Sequence, residues 1–543
     1  MKNANGNSDN GQRFSIVQGF FCAALLLAGL TAACGGGGGT VIVPPPVGMY
    51  SISSLSGSYA FTMTGEDGNG DPIIRIGSFQ ADGAGNISAA IEDVNDAGTV
   101  ESFLFTPAPT SVYTMNSDGK GVLTLVHPDA VVAGTNDVFT FTIALTSTSG
   151  GLMIETDGSS TMSGTFTKQS ITANFAPSYA FDTSGVDLNL GSSESIVGAF
   201  MTNGSSGITG GTLDDNDAAA PSGPSPIGAS SIALDPTYGA QYGRGSFDID
   251  ATISGQVFDL TFEFYVVDAS HLYFVETDST KATAGTAIAQ SAVPTSVAQL
   301  NGNFVLAVGG GTFNQGNFGP LTRAAVVAPN GNGALSSAVL DQNFSNGPSA
   351  FPASGSSISA SAYTIDGSGD GRGTLSFTDA KSGFQFVYVF YLATASQGFI
   401  QDDSGSTTAD GSFTAQTANL SSTSIAGNYA FNWSGINADS GNEEDFVGVF
   451  TIPSGGGAIT NGVVDFVQLP IKNPHADQVL TGTFTLNGTG TGAGAAASTL
   501  QLVSPNADAP TANFHVYAIS DTSFILVGTD TTRVVIGPLQ LQQ

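Results

Sequence analysis

Residues 258–264 read Phe-Asp-Leu-Thr-Phe-Glu-Phe. Side chains of an extended chain alternate in direction, so Phe258, Leu260, Phe262 and Phe264 share one face, and Asp259, Thr261 and Glu263 the other. This period predicts a β-strand with one buried and one wetter face, as in antiparallel hairpins. The same pattern returns in Phe384, Phe386, Tyr388 and Phe390, and in Phe139, Phe141, Ile143 and Leu145. Around these strands lie turn sequences, SDGKG at 117–121 and GDGRG at 369–373, whose glycines suit tight hairpins. Outside the N-terminal apolar run no segment keeps a long helical period.

Four blocks recur in one order, four times, which marks a tandem repeat. The opening block is SYAF at 58–61, SYAF at 178–181, NFVL at 303–306 and NYAF at 428–431, so its aromatic steps by 120, 125 and 125 residues. A glycine-rich block follows: ADGAGNI (81–87), NGSSGI (203–208), NGNGAL (330–335) and SGGGAI (454–459). Six residues beyond each terminal aliphatic stands an aspartate: Asp93, Asp214, Asp341 and Asp465. The third block is YTMN (113–116), IALD (232–235), YTID (363–366) and FTLN (484–487). The fourth is IETD (154–157), VETD (275–278), IQDD (400–403) and VGTD (527–530). The first three copies close on Gln169, Gln290 and Gln416.

Each copy offers about eight strand-like segments joined by short turns. The expected fold is all-β: four tandem antiparallel meanders, each an eight-stranded up-and-down barrel of the lipocalin or avidin kind, with a β-sandwich as the alternative. The boundaries fall at 55–169, 175–290, 299–416 and 425–543. The connectors 170–174, 291–298 and 417–424 are short and polar, so neighbouring copies should touch.

The N-terminus places Lys2 and Arg13 before the apolar run FFCAALLLAGLTAA (20–33) and Cys34. A basic flank, a short apolar stretch and small residues before a boundary describe an export signal over 1–33, too short for an ordinary membrane span. The boundary Leu30-Thr31-Ala32-Ala33-Cys34 resembles a bacterial lipobox, with Thr31 where that motif usually has leucine. The resemblance implies that Cys34 is acylated and becomes the mature N-terminus. Residues 34–54, rich in glycine and then proline, read as a tether. Cys22 lies within the signal, which leaves Cys34 as the only cysteine of the mature chain, so no internal disulfide can form.

Cys34 with its glycine run, Leu55-Ser56-Gly57-Ser58-Tyr59-Ala60-Phe61 and the hairpin Gly77 to Ile87 together resemble a group of tandem-repeat lipoproteins of soil bacteria. The likeness spans nearly the whole chain, although the later copies have drifted. It implies location and architecture and no activity: an exported protein, held to the outer membrane or cell surface by its N-terminal lipid.

The charge balance narrows the function. With 44 acidic and 12 basic residues the net charge is −32, which excludes a nucleic-acid partner because phosphate binding needs clustered cations. No G-x-S-x-G, G-x-G-x-x-G, Walker A, H-E-x-x-H or C-x-x-C occurs. The histidines His127, His271, His475 and His515 occupy unrelated repeat positions, which speaks against a zinc site. Trp433, the single tryptophan, follows the fourth opening motif and reads as core or rim. The one recurring polar signal is carboxylate. Asp93, Asp214, Asp341 and Asp465 share strand parity with Ile87, Ile208, Leu335 and Ile459, and Asp157, Asp278, Asp403 and Asp530 with Met153, Phe274, Phe399 and Leu526. This predicts carboxylates at inward strand ends that accept bonds from turn amides. Calcium sites and paired glycosidase acids are the rival readings, and no dense D-x-D-x-D-G run favours calcium. The expected protein is therefore not an enzyme and has no cofactor or metal. It is a surface-anchored repeat lipoprotein with a structural, adhesion or interaction role and with protein or glycan partners. Barrels holding small apolar ligands are the alternative, and a polysaccharide-acting enzyme comes third.

Overall fold

The computed structural model describes residues 49–543 except 129–135, 254, 315–316, 345–346, 352–356, 418–419, 421–423, 471–473, 488–496 and 505–510. The signal 1–33, Cys34 and most of the tether lie outside the described residues.

Four antiparallel barrels follow one another. Their first and last strands are Ser56–Asp67 and Ser160–Lys168, Ser178–Asp187 and Lys281–Ala289, Phe304–Asn314 and Thr407–Ala415, and Gly427–Asn437 and Arg533–Leu541. In each, the strands neighbour one another in chain order and the last pairs back onto the first. That is the up-and-down barrel, not the sandwich. The fourth barrel is closed by eight strands. The other three sheets count nine segments because the fourth strand of the meander is broken, as between Thr99–Leu104 and Val112–Met115. That break contains Pro107 and Pro109, which have no N–H to give a ladder. Backbone bonds from Thr106 to Val126 and from Ala108 to Ile87 bridge the gap.

The opening motif has a mechanical meaning. Tyr59, Tyr179 and Tyr429 point into the barrels, and their hydroxyls reach across to the carbonyls of Thr148, Ala269 and Asp521. The first and last strands press together at glycine: a Cβ on Gly65 would lie 1.9 Å from the Thr161 carbonyl, and one on Gly164 2.0 Å from that of Thr62. Interiors are filled by aromatic and aliphatic side chains. In the fourth, Trp433 stacks between Phe431 and Phe446 at 5.0 and 4.5 Å.

The barrels form a closed ring. Strands one to three of each barrel pack on strands six to eight of the next, and an apolar cluster fills each seam. Ala60, Ile74, Ile76 and Ile91 meet Tyr265, Tyr273 and Val275. Ala180, Val197 and Ala199 meet Val389, Tyr391 and Phe399. Val305, Ala307 and Val326 meet Tyr517, Ile525 and Val527. The circle is completed where Ala430, Val447, Val449 and Val467 of the fourth barrel meet Ala144, Leu152 and Ile154 of the first. The wetter strand face expected from the alternation is therefore dry along the seams, and Gly150–Glu155 is buried at every residue. Alternation survives on strands that face solvent: Phe262 and Phe264 are buried, while Phe258 at the hairpin end is 42% exposed.

Candidate functional site

The recurring aspartates lie in the seams. Each follows a β-bulge, an extra residue in the third strand, here just after Ile87, Ile208 and Leu335 and between Thr451 and Val449 on the partner side in the fourth copy. A bulge inverts the parity of everything beyond it. The expectation of inward strand ends and turn amides is corrected accordingly: Asp93, Asp214, Asp341 and Asp465 sit within their strands and point at the next barrel.

Across the first seam Arg244 donates from Nε and Nη2 to the two oxygens of Asp93 at 2.8 and 2.9 Å, and the Tyr265 hydroxyl donates at 2.8 Å. The second seam repeats this fork with Arg372 and Tyr391 on Asp214. The third puts His515 Nδ1 and the Tyr517 hydroxyl on Asp341 at 2.8 and 2.7 Å. At the fourth, Lys120 and the Thr142 hydroxyl hold Asp465. Burial works to lower the Arg244 pKa, but the bonds and charge of Asp93 outweigh it and hold the guanidinium above its usual range. Burial, then the neighbouring Asp93 charge, pushes Tyr265 far up. Both groups thus keep their protons and stay donors.

Two amides reinforce each of the first three carboxylates. Two residues on, Asn95, Asn216 and Asn343 donate to carbonyls of the next barrel, those of Glu276, Asp402 and Gly528 among them. The closing glutamines also reach forward: Gln169 to the carbonyls of Tyr242 and Val266, Gln290 to those of Asp370 and Leu392, Gln416 to that of Ala518. Gln542, outside the recurring blocks of the sequence, does the same in the fourth copy, donating to Asp118 and Leu145 of the first barrel.

The ring-closing seam departs from the rest. Val467 stands where the other copies have asparagine, and Ala144 where the others have Tyr265, Tyr391 and Tyr517. A cleft of about 470 Å³ opens beside it, between strands four to six of the first barrel and residues 474–477 of the fourth.

The second set of aspartates is more local. Asp157 accepts from the Ser159 amide and Asp278 from the Thr280 amide, each at a turn. Asp530 accepts from the backbone and side-chain amides of Asn513. Asp403 is displaced by one position. Strand register pairs Ile400 with Gly411 as it pairs Met153 with Gly164, so Asp402 takes the place of Glu155 and accepts from Ser404.

Glu155 and its equivalents belong to ionic clusters inside the barrel ends that the sequence reading missed. Arg75 lies between Glu92 and Glu155 at 2.7 and 3.3 Å. Lys281 pairs with Glu194, Arg323 with Asp402, and Arg533 with Glu444. The available signal was the scarcity of cations: Arg75, Lys120, Arg244, Lys281, Arg323, Arg372 and Arg533 are all held by carboxylates in the barrels or seams. Burial pushes Glu155 up to about 7 and Glu276 to about 8. Burial and the nearby Asp445 push Glu66, at the closing seam, to about 8.

The histidines do not converge. His127 packs against Phe103 and Phe105, and His475 stacks on Phe466. His271 is buried beside Tyr273, and that burial lowers its pKa to about 4. Among the described residues no group of three His, Cys, Asp or Glu is arranged to hold a metal ion.

No protein-family model matches the chain. No curated protein matches it either. Among solved structures, similarity extends to kievitone hydratase from Nectria haematococca, at 8% identity over 50% of this chain and 98% of that one, TM-score 0.18. A tryptophan-to-alanine mutant of transferrin binding protein B from Haemophilus parasuis Hp5 aligns at 11% identity over 72% and 81%, TM-score 0.16. The intact transferrin binding protein Ap-TbpB, with N and C lobes, aligns at 9% identity over 94% and 98%, TM-score 0.16. These values are too low to transfer a fold or an activity.

Proposed function

We propose that this chain is a surface-anchored, non-enzymatic platform: a rigid ring of four barrels, tethered through Cys34, with an adhesion or interaction role in the cell envelope. One observation carries the reading. Both ends of the folded body meet at the ring-closing seam, where the Tyr50 hydroxyl donates to the Gln543 carbonyl at 3.1 Å and the Gln543 amide donates to Thr146. The tether therefore enters at one defined place, and the opposite side, which carries the hairpin at Val257 and Phe258, faces away from the attachment. Export and acylation rest on the signal and lipobox resemblance of the sequence. The filled interiors favour the platform over apolar-ligand carriers, because the space a ligand would need holds aromatic side chains. Membrane fractionation tests the anchoring: Cys34→Ser should move the protein from membrane to soluble fraction. Unchanged partitioning, or a native Cys34 without acyl chains, sinks the proposal.

A further inference from the structure

We infer that the cleft at the ring-closing seam binds a neutral oligosaccharide, with a short glucan segment as the ligand class. The inference does not depend on how the chain is anchored. The cleft is assembled only when the first and fourth barrels meet. Its wall on the first barrel carries Thr114, Asn116, Thr140 and Thr156, and its other wall carries His475 and Asp477. A volume of about 470 Å³ suits a small ligand rather than a side chain or a single water.

The lining chemistry selects among ligands. Among the described residues that line the cleft Lys120 is the one lysine or arginine, and its ammonium is held between the carboxylates of Asp465 and Asp477. One positive and two negative charges leave the cleft acidic, in a chain of net charge −32, so phosphates and carboxylates are repelled. A cation would find Asp465 already engaged by Lys120 and the Thr142 hydroxyl, and one oxygen of Asp477 engaged by the same ammonium. The lining combines threonine hydroxyls, an asparagine amide and a carboxylate with Val122, Pro474 and Ala476, so polar and apolar contacts are offered together. What they match is a ligand that both donates and accepts at many points without net charge, which describes sugar hydroxyls. The His475 ring supplies the flat element: it lines the cleft and is backed by Phe466, 4.3 Å away with planes inclined by 10°. A sugar ring can lie on such a surface through its C–H face. Asp477 is free to engage a ligand, since its side chain is 74% exposed although one oxygen meets Lys120.

The test is calorimetric titration of the full chain with cellohexaose, laminarihexaose and maltohexaose, and separately with spermine. At least one hexasaccharide should bind at millimolar concentration or below, with little dependence on salt. Thr140→Trp should fill the cleft and abolish that binding, while Thr140→Ser preserves it. Asp477→Asn, which suits the left-handed backbone at this exposed position, should weaken it by about tenfold through loss of a charged hydrogen-bond acceptor. Absence of binding by all three sugars overturns the inference. So does sugar binding that Thr140→Trp leaves intact, and so does salt-sensitive binding of spermine with no sugar bound, which would make this a polyamine site.

Discussion

The side-chain amide of Gln542 donates to the carbonyl oxygen of Leu145 at 2.8 Å, across 397 residues of sequence. A second bond from the same nitrogen reaches Asp118 at 2.9 Å. The penultimate residue therefore performs on the first barrel the act that Gln169, Gln290 and Gln416 perform on their successors. Three seams are also joined by peptide connectors, whereas the fourth is held by side chains and backbone contacts alone.

Gln542→Ala should loosen that seam selectively. Leaving the buried Leu145 carbonyl and the half-buried Asp118 carbonyl without this donor costs about 1–3 kcal/mol. Small-angle scattering should show a larger radius of gyration near the onset of unfolding than in Gln416→Ala, whose seam keeps its connector. Identical profiles for the two variants would mean that the seam closes without the glutamine.

Asp93→Ala should destabilise the first seam by about 1–3 kcal/mol, because the buried Tyr265 hydroxyl loses its acceptor while Arg244 keeps Asp235 and Glu263. Differential scanning calorimetry should give the same loss in calcium and in chelator. Asp341→Ala should cost less, since its ionic partner is a histidine that need not carry charge. A melting temperature that calcium raises only while Asp93 is present would restore the metal reading.

Alkaline pH should weaken the ring. Burial raises Glu66, Asp215 and Glu276 to about 8 and Glu194, Asp445 and Glu444 to about 7. Each is an acid whose folded pKa lies above its unfolded value near about 4, so the folded state binds more protons in between. This contribution is fully present below the unfolded pKa and is lost as pH rises through about 7 to about 8. The melting temperature should fall steadily over that upper range, and a flat or rising profile there would contradict the assignment.

A fragment holding only residues 55–169 should fold, because its core is its own, but it should not behave as an isolated monomer. It bares Ala60, Ile74, Ile76 and Ile91 on one side and Ala144, Leu152 and Ile154 on the other. Sedimentation should show self-association, and the fragment should melt below the full chain. A monomeric fragment as stable as the full chain would show that the seams add nothing.

Much of the fold was legible because alternation and turn glycine are local. Phe386, Tyr388 and Phe390 declare their strand without reference to anything distant, and the four-fold order of blocks declares the repeat. The seams were not legible for two physical reasons. A single bulge residue, Ser88 in the first copy, turns Asp93 from the core to the neighbour, and a bulge leaves no fixed mark in sequence. The partner of Asp93 is Arg244, in another copy, so nothing near either residue announces the pair. The Asp403 misplacement has the same root: a one-residue slip in IQDD looks conservative in letters, yet it swaps a turn acceptor for a barrel-end ligand of Arg323.

The meeting of Tyr50 with Gln543 has a mechanical consequence. If the chain is pulled by its tether, force arrives at the ring's seam and then runs along the strand Ser56–Asp67. That strand is flanked on both sides, by Pro72–Asp82 and by Ser160–Lys168, in unbroken antiparallel register. Load along its axis shears both ladders together instead of peeling one bond at a time. Such a load would therefore be spread over two rows of hydrogen bonds.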